Sequence, residues 1–148
     1  MINIYTDGGC SGNPGPGGWA YIIEGDGRII SEKWGAERDT TNNRMELSAV
    51  IVALEALSAL NPRGQRVTIY TDSQYVQKGI SEWIYRWKKN GWRNSNKDPV
   101  KNKDLWQHLE LLDEEFSPSW RWVRGHAGNP MNERCDRMTR CAIESLWT

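Results

Sequence analysis

Apolar and polar positions alternate over residues 2–7, the period-two pattern of a strand with one face buried. Residues 19–23 and 28–33 are strand-like too, and Glu24-Gly25-Asp26-Gly27 between them supplies the positive φ a tight hairpin needs. The run Asn13-Pro14-Gly15-Pro16-Gly17-Gly18 cannot continue a strand, so residues 8–18 are expected to form a shaped loop. The period then changes to that of a helix, with Met45, Ser48 or Ala49, Ile51 or Val52 and Ala56 at helical spacing beside Leu47, Val50, Leu54 and Leu57. Thr40 or Thr41 can cap it and Asn61-Pro62 ends it. Because it is apolar around much of its circumference, a sheet is expected on one side of it and another helix on the other.

Farther along, a β-branched strand over residues 66–71 stops at Asp72. Ser73 starts a short helix ending near Gly79, and a second helix over 81–90 is stopped by Gly91. Residues 92–100 are polar and irregular, 103–116 helical, 120–124 a strand and 132–146 a final helix. The order βββαβαααβα, with helices between the later strands, predicts an α/β fold whose mixed sheet carries helices on both faces.

A chain of 148 residues suits one domain, and no repeat, low-complexity segment or linker divides it. No stretch approaches the roughly 18 apolar residues of a membrane helix, and no basic patch precedes an apolar segment at the N-terminus. The expectation is a cytoplasmic protein with no membrane partner. The three cysteines, Cys10, Cys135 and Cys141, show no CxxC or Cys/His spacing, which argues for reduced thiols and against zinc. Nothing resembles an assembly element, so a monomer is expected.

Net charge is zero, but its distribution is uneven. Between Lys78 and Lys103 lie eight Lys or Arg against two acids, a net +6, so the rest of the chain carries −6. A basic patch on a neutral protein suits a polyanionic partner when the chemistry elsewhere needs acids.

Four acids stand where a structural role is hard to supply. Asp7 and Asp72 end apolar strands, Glu46 lies between Met45 and Leu47 in the apolar helix, and Asp136 follows Asn132 by one turn. Gathered carboxylates repel one another unless a hard cation such as Mg²⁺, which prefers oxygen ligands, sits among them. Each acid also has a plainer explanation. Asp72-Ser73 can cap the next helix, Glu46 suits a helix dipole, Asp7 can anchor the glycine-rich turn, and Asp136 can pair with Arg140. His126, between Gly125 and Gly128, is placed to shuttle protons or is a solvated loop histidine.

Five stretches together resemble the motifs of the single-domain bacterial (type 1) ribonuclease H family. They are Thr6-Asp7-Gly8-Gly9-Cys10 with the Asn13–Gly18 run, Thr40-Thr41-Asn42-Asn43-Arg44-Met45-Glu46-Leu47, and Thr71-Asp72-Ser73-Gln74-Tyr75-Val76. Val123-Arg124-Gly125-His126-Ala127-Gly128 and Asn132-Glu133-Arg134-Cys135-Asp136 complete the set. The resemblance covers almost the whole chain, and the departures from it, Gly9 and Asn129 among them, touch none of the four acids. It implies a five-stranded mixed sheet in the order 3-2-1-4-5 and one catalytic domain over residues 1–148, with a basic handle at about 80–103. It further implies metal-dependent hydrolysis of the RNA strand of RNA–DNA hybrids to 5′-phosphate and 3′-hydroxyl ends. Asp7, Glu46, Asp72 and Asp136 would hold two Mg²⁺ ions, for which Mn²⁺ can substitute, with Asp7 as the bridge. His126 would assist proton movement or product departure.

By the same resemblance, Asn13, Asn42, Asn43 and Gln74 would face the RNA strand, whose 2′-hydroxyl suits short amides that both donate and accept. Thr41 with Asn13 would form a pocket for a DNA-strand phosphate, and Asn132 would also contact substrate. Trp83 would lie along a DNA sugar, with Lys88 and Lys89 on phosphates. The alternative is a module that binds hybrids without cutting them.

Overall fold

Five strands in the order β3-β2-β1-β4-β5 form the frame of the computed structural model, which describes residues 1–124 and 129–147. Strands β1 (Ile2–Cys10), β2 (Gly15–Gly25) and β3 (Arg28–Thr40) pair antiparallel, while β4 (Val67–Thr71) and β5 (Ser119–Trp122) join parallel to β1 and β4. Helix α1 (Asn42–Leu60) follows β3, and α2 (Gln74–Lys78), α3 (Ile84–Lys89) and α4 (Lys103–Phe116) lie between β4 and β5. Helix α5 (Pro130–Ser145) comes last. The α/β class, the strand order and the helices on both faces match the expectation.

Strand alternation sorts the side chains onto the two faces. Ile2, Ile4, Tyr21, Ile23, Val67 and Ile69 pack with α1 and α4 residues, among them Leu47, Leu54 and Leu109. Tyr5 and Ile22 point the other way, onto Cys135 of α5. Each fully buried Leu or Ile contributes roughly 1.5–3 kcal/mol. Helix α1 sits between the sheet and α4, as its apolar circumference predicts.

Several boundaries differ from the sequence expectation; β1 runs on to Cys10 and does not stop at Asp7, and β5 and α5 are each displaced by one or two residues. Strand β2 begins at Gly15, not after Gly18, because Gly17 and Gly18 pair with Cys10 and Gly9 of β1. The loop is therefore only residues 11–14. Strand β3 runs on to Thr40 because the long β2 offers backbone partners along its length. Gly79 does not end a helix: α2 continues through a π-type turn, Gly79–Trp83, directly into α3. A Cβ at Gly79 would lie 1.9 Å from the Trp106 ring, so this glycine lets a tryptophan of α4 approach the backbone.

Among the described residues, no helix is long and apolar enough to cross a membrane.

Candidate active site

The parallel ladder pairs Ile4 with Ile69 and Tyr5 with Tyr70. Asp7 lies two residues beyond the last position of β1 paired with β4, within a strand that runs on to Cys10, and Asp72 follows the end of β4; the charges of both act on Cys135 of α5. Tyr5 and Tyr70 stack at 4.9 Å, and alternation puts Asp7 and Asp72 on that same face, toward α5. Asp7 is 8% exposed, and Asp72 is half-buried.

Glu46 arrives from the opposite face. Helix α1 crosses the end of β1 so closely that a Cβ at Gly8 would lie 2.4 Å from the Met45 carbonyl carbon and 2.6 Å from the Glu46 nitrogen. Only glycine fits at residue 8, and this contact brings the start of α1 to the acids. The Ser73 hydroxyl donates to Glu46 Oε2 while accepting from the Val76 amide as the cap of α2. Burial pushes the Glu46 carboxyl up, the Ser73 hydrogen bond opposes that, and the Asp72 charge adds to the rise. Ser73 was expected only to start a helix; its grip on Glu46 depends on a contact between residues 27 apart, which no local pattern shows.

Asp136 follows Cys135, whose thiol donates to the Tyr5 carbonyl at 3.4 Å and so fixes α5 two residues short of Asp7. Burial, followed by the Asp7 charge, drives the Cys135 thiol far above its usual range, so it stays protonated. Asp136 pairs with Arg140 at 3.0 Å, as the plainer reading of its spacing had it. Arg134 binds Glu32 of β3 through two hydrogen bonds of 2.9 and 2.8 Å, and Asn129 caps α5 by accepting from the Met131 and Asn132 amides. Asn132 is buried, and its Oδ1 has no hydrogen-bond partner among the described residues. His126 lies outside the described residues.

Asp72 thus acts on Glu46, and Asp7 and Asp72 both act on Cys135, the residue before Asp136 in α5. Among the described residues, no three His, Cys, Asp or Glu side chains stand at metal-holding distances. Carboxylates with no cation among them have electrostatic reason to stay apart. The donor set nevertheless fits a hard cation: the groups offered are carboxylate oxygens, the nearby thiol is held protonated, and Glu46 is destabilised as an anion.

The predicted amides cluster at the same end. Thr41 caps α1, accepting from the Arg44 amide at 3.3 Å, and Asn13 Oδ1 accepts from the Asn42 amide at 3.3 Å. The 11–14 loop is thereby tied to the start of α1. Asn43 and Gln74 are exposed.

The family profile for RNase H matches residues 1–144. The chain belongs to the ribonuclease H family. It is 54% identical to the ribonuclease H of Treponema denticola over 157 residues, covering 98% of each chain. Among solved structures, it is similar to LC9-RNase H1, a type 1 RNase H with the type 2 active-site motif, at TM-score 0.80 and 34% identity. That match covers 97% of this chain and 72% of the other. LC11-RNase H1 in complex with an RNA/DNA hybrid matches at TM-score 0.71 and 29% identity, over all of both chains.

In this ribonuclease H family member the basic segment stands on an aromatic stack. Trp87 lies 5.4 Å from Trp106, 6.0 Å from Trp83 and 6.1 Å from Trp92 between ring centroids. Trp83 and Trp87 are both half-buried, and Lys89 is exposed. Lys88 instead reaches Glu110 of α4 at 2.7 Å, an ion pair that a phosphate would have to compete with.

Proposed function

We propose that Asp7, Glu46, Asp72 and Asp136 hold Mg²⁺ beside a bound RNA–DNA hybrid, and that this ribonuclease H hydrolyses the RNA strand there to 5′-phosphate and 3′-hydroxyl ends. Bound at these acids, magnesium would supply Lewis-acid polarisation of the scissile phosphate. The main support is a half-buried Glu46 carboxyl disfavoured as an anion by burial and by the Asp72 charge, with Asp7 and Asp72 both acting on Cys135. Such an arrangement is costly unless a cation offsets it. Manganese, which also accepts carboxylate oxygens, can substitute.

The chain's own groups select the substrate. Asn13, Asn42, Asn43 and Gln74 offer amide donors and acceptors to the RNA 2′-hydroxyl, the group that distinguishes RNA from DNA. Thr41 with Asn13 forms the pocket for a DNA-strand phosphate, and Asn132 contacts the substrate from α5. Trp83 lies along a DNA sugar in the handle at about residues 80–103, with Lys88 and Lys89 neutralising phosphates without reading sequence. His126 moves a proton or escorts the product. All four acids come from one chain, so a monomer suffices, and the free cysteines suit the reducing cytoplasm.

The test offers a labelled RNA–DNA hybrid, a duplex RNA and a duplex DNA, each with Mg²⁺ or EDTA. Only the hybrid is cut, on its RNA strand, and only with metal. Cleavage of duplex DNA, or indifference to EDTA, overturns the assignment; a hybrid bound with Mg²⁺ but left intact makes the protein a binding module instead.

A further inference from the structure

Asn102 occupies the cap position of α4 but does not cap it. Its side chain makes no capping bond, and its backbone is left-handed, φ 61° and ψ 28°, where a cap residue is ordinarily extended. Its carbonyl still accepts the first helical bond, from the Trp106 amide at 3.0 Å. Glycine would take this conformation without the crowding a Cβ brings. The asparagine side chain is spent elsewhere. Asn102 Oδ1 accepts from Arg44 Nη1 at 3.1 Å, and Asn102 Nδ2 donates to the Tyr75 hydroxyl at 3.1 Å.

Both ends of this bridge are fixed. Arg44 is held by Asp104 through two further bonds, of 3.2 and 3.1 Å. The Tyr75 hydroxyl also accepts from Trp106 Nε1 at 3.0 Å, and the Tyr75 ring meets Trp83 edge-on at 5.8 Å. Arg44 follows Asn43 and precedes Glu46 by two residues; Tyr75 follows Gln74. One side chain therefore connects the amide-bearing start of α1 to Gln74 and to the base of the handle, and strained backbone kept at such a point suggests a functional constraint.

We propose that Asn102 is a positioning residue that sets the handle relative to the start of α1, so that a hybrid gripped at Trp83 and Lys89 meets the acids in one register. This rests on the hybrid-cutting reading above. Asn102 touches neither substrate nor reacting atoms; it acts through Arg44 and Tyr75.

The experiment compares kcat and KM on two hybrids with wild type, Asn102→Gly and Tyr75→Phe. One hybrid is long; the other is shortened until Lys89→Ala no longer changes its cleavage. Glycine accepts the left-handed backbone, so Asn102→Gly retains the wild-type melting temperature or exceeds it. The expected result is that wild type prefers the long hybrid and that Asn102→Gly reduces this preference about tenfold, through KM. Its kcat on the short hybrid stays within about twofold of wild type. Tyr75→Phe, which keeps the ring and loses the hydroxyl, reduces the preference in the same direction. A preference unchanged in both variants, or equal losses on both hybrids, overturns the positioning role while leaving the nuclease reading intact. A wild type that cuts neither hybrid overturns both.

Discussion

At Glu46, burial and the neighbouring Asp72 charge both favour the neutral acid, and the Ser73 hydroxyl offsets them only in part. The folded-state pKa is raised above the ordinary 4.5, so the metal-free fold binds a proton that the unfolded chain releases. Stability from this group is full below 4.5 and is lost as pH rises through the folded value. Glu46→Gln removes that loss. Without metal at pH 7, the variant should melt about 3 °C above wild type; if Mg²⁺ binds the folded state as proposed, it should raise the wild-type melting temperature and shift the variant far less. Thermal melts with Mg²⁺ and with EDTA check this; a metal-free variant less stable than wild type would contradict it. The sequence singled out Glu46 as an acid in an apolar helix but could not show its neighbours. Ser73, Gly8 and Asn129 carry the same lesson. Each does its work through contact geometry, so as letters they showed only a helix start, a glycine-rich turn and a departure from the family pattern.

At the scale of elements, the acids depend on α5 and α1 being fastened to the sheet, by packing and by a few specific polar contacts. Helix α5 is tied to β3 by Arg134 on Glu32, and the Arg134 hydrogen bonds hold the Glu32 carboxyl below its ordinary 4.5 although burial opposes them. A depressed carboxylate stabilises the fold above the unfolded value, and that contribution disappears as pH falls through the folded one. Glu32→Gln should therefore lower the melting temperature at pH 7 by about 2 °C, the scale of a half-exposed ion pair. The gap should close by pH 3. A gap that persists at pH 3 would mean that packing, not charge, is what the substitution disturbs. The elements themselves were largely legible: the helical patterns placed α1 and α4 closely, with α4 bounded as expected at Lys103 and Phe116, while β1 started as expected but ran three residues farther, to Cys10. Boundaries failed where glycine was taken as a breaker. Gly17 and Gly18 are held in β2 by neighbouring strands, and Gly79 lies inside a continuous helical rod against Trp106. Local propensity yields to tertiary pairing at such places.

Over the whole molecule, charge and topology divide the work. The four acids lie outside the segment from Lys78 to Lys103 that carries the basic excess, so a neutral chain keeps acids and basic excess in separate regions, as the proposed division between metal and phosphate requires. The sheet order could not be derived from periodicity; it came from motif resemblance, and the structure has that order. Approach of the acids was likewise invisible in their spacing, since β1 and β4 pair in parallel across α1 and Asp7 and Asp72 both act on Cys135 only in the folded chain. If these carboxylates serve chemistry and not architecture, removing one charge should separate cutting from binding. The direct measurement sets Asp7→Asn beside wild type in Mg²⁺, with hybrid affinity and RNA-strand turnover determined on the same substrate. Affinity should stay within about twofold while turnover falls by about 10³ or more. Equal losses of affinity and turnover, or turnover retained, would contradict the account.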